Sequence, residues 1–548
     1  MDEFDILVIG AGMGGAAVSK HLGEAGMKVV CLEQGDWVHP ADHPHYHNEW
    51  ETERHRGWAL DPNIRKAPED YPVTGLTTPY MYNAVGGSTV HMGGHWPRFK
   101  PADFRRGTEH GLEGTIDWPF SYEDLAPFYE MNDAEVGVSG FTGDPAMPAR
   151  TERYSPAPPP GNVGRKVAGG FEKLGWHWWP SDNAIITRRR DGRLPCNFCG
   201  DCESGCPRGS ISTADLTYWP KALAAGVRLI TNARVEKITL NRRGLASGAV
   251  YIDRNTDARH EVGARIVVLC ANGIGTPRML LMSAQAGHPD GLANSNGLVG
   301  THLMHHTWAL TDCWYADPLE GYKGNRSATV FSTEFYNTQV DRGFVNGFSI
   351  QCGRSAGPAS IAMGANAGKP LPWGERHRES FEERFGHHML IYTQGEDLPI
   401  RSNRVTLDPG VTDSSGLPGA HVEYRLSDND IRLTDFGTEQ IAKVAEAAGG
   451  LTRIETTGTM LPPPGFHLMG SCRMGNTPED SVTNRYNQTW DVPNLFIADG
   501  SSLTTGGAVN PTSTIGAVAL RCAEYIKRRY SDIISQTTTP SNTDAEGF

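Results

Sequence analysis
Four cysteines fall within eleven residues, Cys196-x2-Cys199-x2-Cys202-x3-Cys206, followed by Pro207. Thiolates are soft ligands, and a loop this tight lets them converge on one centre. The spacing is that of the bacterial ferredoxin run and predicts an iron–sulfur cluster with Cys196, Cys199, Cys202 and Cys206 as ligands. It leaves open whether three of them hold a [3Fe–4S] cluster or whether all four, or a remote cysteine, complete a [4Fe–4S] cluster. Structural zinc competes, but it usually takes two separated cysteine pairs, and the chain has no second pair. A disulfide is a weaker competitor. Cys31, Cys270, Cys313, Cys352 and Cys522 stand singly in mostly apolar stretches, where cysteine behaves as a small hydrophobe.

A second group of residues suits a phosphate. Gly10-Ala11-Gly12-Met13-Gly14-Gly15 follows the apolar run of residues 5–9 at once. Gly10 suits a tight turn, Gly12 lets the backbone approach a pyrophosphate, and Gly15 lets a helix pack closely on a strand. The unpaired N–H groups at the helix start favour an anion. Glu33 closes a second apolar run, Val29 to Leu32, about 20 residues on, where an acid accepts from a ribose hydroxyl. An acid here fits an unphosphorylated 2′-hydroxyl, so NAD or FAD is favoured over NADP.

The elements that must hold these residues follow from the pattern. Strand, glycine turn, helix (Ala16 to Ala25) and strand form a βαβ unit. Asn510-Pro511 reads as an N-cap with proline at the first helical position, opening a helix from Thr512 to about Arg528. A chain of 548 residues is too long for one core and predicts two or more domains. The net charge of −13 argues against nucleic acid as the main partner. No apolar run reaches the roughly 18 residues of a membrane helix. The start, MDEFDILVIG, lacks a basic region and a cleavage site, so no signal peptide is expected. The chain is therefore expected in the cytoplasm, or in the periplasm if it is exported with a signal-bearing partner.

Three further segments carry a family resemblance. They are Asn83-Ala84-Val85-Gly86-Gly87-Ser88-Thr89 with Trp96-Pro97-Arg98-Phe99, then His467-Leu468-Met469-Gly470-Ser471-Cys472-Arg473-Met474-Gly475, then Asn494-Leu495-Phe496-Ile497-Ala498-Asp499-Gly500 running on to Asn510-Pro511-Thr512. In this order and spacing they resemble the glucose–methanol–choline (GMC) family of flavin oxidoreductases. The resemblance covers both ends of the chain; about 305–455 carries no matching motif and corresponds to the family's variable substrate region. It implies FAD, held by Gly10, Gly12, Gly15, Glu33, Gly86, Gly87, Ser88, His91, Val235, Asp499, Gly500, Asn510, Pro511 and Thr512, with Val235 against the adenine. His91 stands where some sugar-oxidising relatives carry a histidine bonded covalently to the flavin, and His95 is a second candidate. His467 matches the catalytic histidine and Asn510 its partner. An imidazole suits a base that takes a hydroxyl proton near neutral pH.

The resemblance implies an α/β chain (α+β overall). A Rossmann-like FAD domain would be assembled from 1–105, 192–305 and 456–532, with the cysteine loop at 196–207. A substrate domain of antiparallel sheet and helices would come from 106–191 and 306–455, and 533–548 would be a disordered tail. The implied reaction is oxidation of a secondary hydroxyl, C3 being a candidate, on a sugar or glycoside. Electrons would leave through the cluster to a cytochrome c or quinone, with a small partner subunit. An oxygen-using oxidase with structural cysteines and a hydroxynitrile-lyase-like enzyme are the alternatives. His302, His305 and His306 are either site-lining or without a ligand.

Overall fold
The computed structural model describes residues 3–43, 71–75, 79–200, 202–325, 329–355, 357–363, 371–461 and 464–535. The first apolar run is β1 (Glu3–Ile9), and it lies parallel to β2 (Val29–Leu32) through the helix Met13–Glu24. Alternation sorts its side chains. Ile6 and Val8 face a core built with the helices Met13–Glu24, Tyr122–Val136 and Thr512–Ser535. Leu7 and Ile9 face a second core with the helix Asn272–Met282.

Three smaller strands complete the outline before the second half of this sheet. β3 (Val73–Gly75) joins a separate three-stranded sheet, β4 (Trp179–Pro180) joins a six-stranded one, and β5 (Arg228–Ile230) extends the first sheet beyond β2. An antiparallel meander follows: β6 (Ala233–Leu240), β7 (Ala246–Asp253) and β8 (Arg259–Leu269). β8 has two roles. Its first residues pair with β7, and its apolar end, Ile266 to Leu269, runs parallel to β1. The result is the doubly wound, Rossmann-like arrangement expected from the glycine turn.

The second large sheet is antiparallel, in the order β15-β9-β12-β11-β10-β4. It comprises β9 (Thr307–Tyr315), β10 (Val330–Ser332), β11 (Phe348–Gly353), β12 (His388–Gly395) and, after β13 (Arg404–Thr412) and β14 (Pro418–Glu423) of the small sheet, β15 (Leu451–Thr459). Period two again decides what faces what. Ala309, Cys313, Ile350, Cys352, Met389 and Ile391 pack under the helices Gly161–Leu174 and Asp428–Ala447. The alternate residues Trp308, Leu310, Leu390 and Tyr392 are left for the opposite face. The longer of these helices is closed at its start by a capping box in which Ser427 and Asp430 exchange side-chain bonds.

β16 (Leu495–Ile497) pairs parallel with the end of β8 and completes the first sheet. The expected tail at 533–548 begins too early. The last helix runs to Ser535, and Ile533 is fully buried on it, so 533–535 are helix and not tail. The remainder of the expected tail lies outside the described residues. No described helix is long and apolar enough to cross a membrane.

Candidate active site
A cavity of about 650 Å³ lies between the two large sheets. Its floor is the glycine turn. Gly10 has φ +100°, and a side chain there would strike the Cys270 carbonyl, so only glycine fits. Gly12 borders the cavity with little around it except Gly87. Gly15 is set back from the cavity. A Cβ on it would lie 1.9 Å from the Gly10 carbonyl oxygen, so it seats the helix on β1. Glu33, buried, accepts from the Ala11 N–H at 2.8 Å and the Gly35 N–H at 2.9 Å. This braces the turn, and each carboxylate oxygen has a second lone pair that could accept from a ligand.

The second motif folds over this floor. Gly87, Ser88 and His91 border the cavity. Gly86 supports the site from behind, its N–H donating to Ala11 O at 3.0 Å. His91 Nδ1 lies 3.1 Å from the Glu203 carbonyl, which ties this wall to the cysteine loop. Val235, on β6, lines the cavity. Asp499 sits at the end of β16. One oxygen accepts from Asn272 N–H (3.0 Å) and Thr276 Oγ (2.5 Å), the other from Ser501 N–H (2.8 Å). Burial raises its pKa against these bonds. Gly500, Pro511 and Thr512 complete this side.

His467 and Asn510, 43 residues apart in sequence, meet in the cavity with Asn510 Nδ2 at 3.3 Å from His467 Nε2. Asn510 Oδ1 accepts from His95 Nδ1 at 2.7 Å. This corrects the helix-cap expectation: the amide oxygen is engaged by His95 and not by the start of the following helix. His467 has its pKa pushed well below the ordinary imidazole value, by burial first and then by His306, His305 and His95. Burial likewise holds His95 down at about 4. Both are therefore neutral at pH 7, which leaves a free lone pair for accepting a proton.

The shell around His467 contains two of the histidines singled out in the sequence, His305 and His306, and two residues that were not, Asp397 and Tyr424. His306 Nδ1 is 2.7 Å from His467 Nδ1, and His305 Nδ1 donates to the His467 carbonyl at 2.9 Å. Asp397 holds the backbone N–H groups of both His305 (2.8 Å) and His306 (3.0 Å), and Tyr424 in turn donates to Asp397. Trp308, Leu310, Leu390, Tyr392, Met460 and Phe466 line the same cavity as His467. The Trp308 ring centroid is 5.8 Å from that of His467 and 5.6 Å from that of Phe466. Only the strand alternation of 307–315 and 388–395 could have pointed to this wall, and it does not say which face meets a ligand.

The cysteine loop is not arranged as expected. Cys196, Cys199, Cys202 and Cys206 are all free thiols, and no group of three or more His, Cys, Asp or Glu among the described residues stands where it could hold a metal ion. Cys202, buried, packs with Ile185 and Ile211, with Cys196 and Cys206 against them, while Cys199 is exposed. Three of the thiols thus share one apolar knot and the fourth stands at the surface, and the four are not placed as ligands of one centre. The residues as placed do not fit an iron–sulfur cluster.

Two family models match the chain, GMC oxidoreductase N-terminal over residues 4–308 and GMC oxidoreductase C-terminal over residues 399–519. The chain belongs to the GMC oxidoreductases. Among relatives, it is 60% identical to 2-methyl-1,2-propanediol dehydrogenase of Mycolicibacterium austroafricanum, over 99% of each chain. It is 30% identical to the fructose dehydrogenase large subunit of Gluconobacter japonicus, over 95% of this chain and 97% of the other. In fold it resembles formate oxidase of Aspergillus oryzae, with TM-score 0.66 at 14% identity, covering 97% of this chain and 99% of that one. This GMC oxidoreductase acts on alcohol CH–OH groups and uses FAD. The cavity fits that cofactor: glycine backbone at a helix start for a pyrophosphate, Glu33 for a ribose, and Val235 as an apolar contact.

Proposed function
We propose that this GMC oxidoreductase dehydrogenates the primary hydroxyl of a small branched 1,2-diol of the 2-methyl-1,2-propanediol type, giving the hydroxyaldehyde. The observation that carries the proposal is the cavity lining shared with His467 and Asn510, which is largely apolar and aromatic: Trp308, Leu310, Leu390, Tyr392, Met460 and Phe466. A sugar brings a hydroxyl on nearly every carbon, and each one buried without a partner costs about 1–3 kcal/mol. Methyl groups are stabilised by such a wall. The relative at 60% identity, a 2-methyl-1,2-propanediol dehydrogenase, supports the same class. Carbon 2 of that diol bears no hydrogen, so only the primary carbon can lose a hydride.

His467 Nε2 takes the hydroxyl proton, and Asn510 Nδ2 donates to the same oxygen and holds it in line. The apolar wall excludes water from the reacting carbon. FAD supplies the two-electron acceptor. A cytochrome c or a quinone is the proposed acceptor that reoxidises it, tested by comparing turnover with dye, cytochrome c, quinone and oxygen.

Steady-state turnover with an artificial dye tests the substrate class. kcat/KM for 2-methyl-1,2-propanediol is expected to exceed that for fructose, glucose and a simple glycoside. A higher value for any of the sugars would replace the diol reading with a sugar dehydrogenase.

A further inference from the structure
We propose that His306 is a positioning residue that fixes the tautomer of His467, leaving the lone pair on Nε2, where the substrate proton arrives. The inference rests on the reading of His467 as base and adds what holds it in the competent form.

His306 Nε2 lies 2.8 Å from Gly507 O and 3.1 Å from Gly506 O. A carbonyl oxygen only accepts, so this nitrogen carries a proton. His306 is fully buried and burial disfavours its charged form. A neutral ring protonated at Nε2 has its lone pair on Nδ1. Gln394 Nε2, at 3.4 Å, also directs an N–H toward that nitrogen. The other neighbour of His306 Nδ1 is His467 Nδ1 at 2.7 Å. Two lone pairs cannot face each other at that distance, so His467 Nδ1 is the donor. The lone pair of neutral His467 is then on Nε2, toward Asn510 Nδ2–H. The opposite tautomer would aim an unprotonated His306 nitrogen at two carbonyl oxygens.

The backbone keeps the relay in register. His306 has φ +72°, a left-handed conformation that costs a non-glycine residue energy. Asp397 holds it there through the N–H groups of His305 and His306. Gly506 and Gly507 lie shortly before Asn510, so one loop carries both the carbonyls that set the relay and the amide at its far end.

The test compares His306→Asn with His306→Leu in the FAD-loaded enzyme. The two side chains have nearly the same shape, but asparagine keeps an acceptor oxygen near the position of Nδ1. The limiting rate of anaerobic flavin reduction by the diol is measured together with the substrate concentration at half-maximal rate. His306→Leu is expected to lose roughly 10²–10⁴-fold in rate, the range of a base in its wrong form, with the half-saturating concentration little changed. His306→Asn should recover most of that loss. Equal rates for the two variants, whether both near wild type or both equally slow, would overturn the relay. His467→Ala, run beside them, separates the two readings: if it reduces flavin at the wild-type rate, the base assignment itself fails. Should His306→Leu not fold, nitrogen-15 NMR of wild-type enzyme labelled at histidine reads the tautomer directly, with the His467 signals assigned by their loss in His467→Gln. Protonation at Nδ1 is expected, and protonation at Nε2 would refute the proposal.

Discussion
His467 works as a base only while it is unprotonated, and its surroundings decide when that is. Burial and three neighbouring histidines hold its pKa below the ordinary value. A depressed pKa means that protonation begins only at lower pH, so the neutral form prevails throughout the neutral range. The limiting rate of flavin reduction is therefore expected to be flat from pH 8 to about 6.5, the ordinary imidazole value, and to fall only below it; stopped-flow spectra across that range are the check. A rate that climbs with a midpoint above 7 would mean that another group is the base. The sequence pointed to His467 and Asn510 through flanking motifs, and the structure places them 3.3 Å apart. It did not point to Asp397 or Tyr424. Their partners lie far off in sequence, and an acid and a tyrosine in a motif-free stretch look like ordinary surface or core residues.

At the scale of elements, the βαβ unit was readable because its signal is local: an apolar run, a glycine turn and an apolar run, each with a steric cause. Gly15 gives the sharpest prediction. A methyl group there would sit 1.9 Å from the Gly10 carbonyl oxygen and 3.2 Å from Val8 Cγ1. Gly15→Ala should therefore push the helix off β1 and lower the flavin bound per chain, measured by absorbance after purification; a full flavin complement would show that the helix can shift without cost. The cysteine loop teaches the opposite lesson. Its spacing is specific for a cluster, yet the thiols are divided between an apolar knot with Ile185 and Ile211 and the surface. Spacing fixes reach along the chain, while the direction of each thiol is set by what it packs against. Chemical analysis of anaerobically purified enzyme is expected to find no iron or acid-labile sulfide in proportion to flavin. About three or four irons per flavin would show that the loop rearranges around a cluster. The six-stranded sheet was expected only by resemblance, because its strands carry no motif and two of its pairings, β15 with β9 and β10 with β4, join residues more than a hundred positions apart.

For the whole molecule, buried histidines link stability to pH. His95 and His302 have pKa values lowered to about 4 and about 3, both chiefly by burial. Below pH 6.5 the unfolded chain binds protons that the folded chain refuses. Each such histidine then removes about 1.4 kcal/mol of stability per pH unit, until the folded group itself titrates. The melting temperature of the holoenzyme should fall steeply from pH 6.5 toward 4, by differential scanning calorimetry; a flat profile would show that these rings are solvated or paired in their charged form. The same burial encloses a cavity lined by apolar side chains together with a base and an amide, and the function follows from what enters it. The decisive measurement is single-turnover flavin reduction, in the absence of oxygen, by 2-methyl-1,2-propanediol with hydrogen or with deuterium on carbon 1. Complete bleaching of the flavin is expected, slowed several-fold by the deuterium. A flavin left oxidised by the diol but bleached by a sugar, or a bleaching rate indifferent to deuterium at carbon 1, would contradict it.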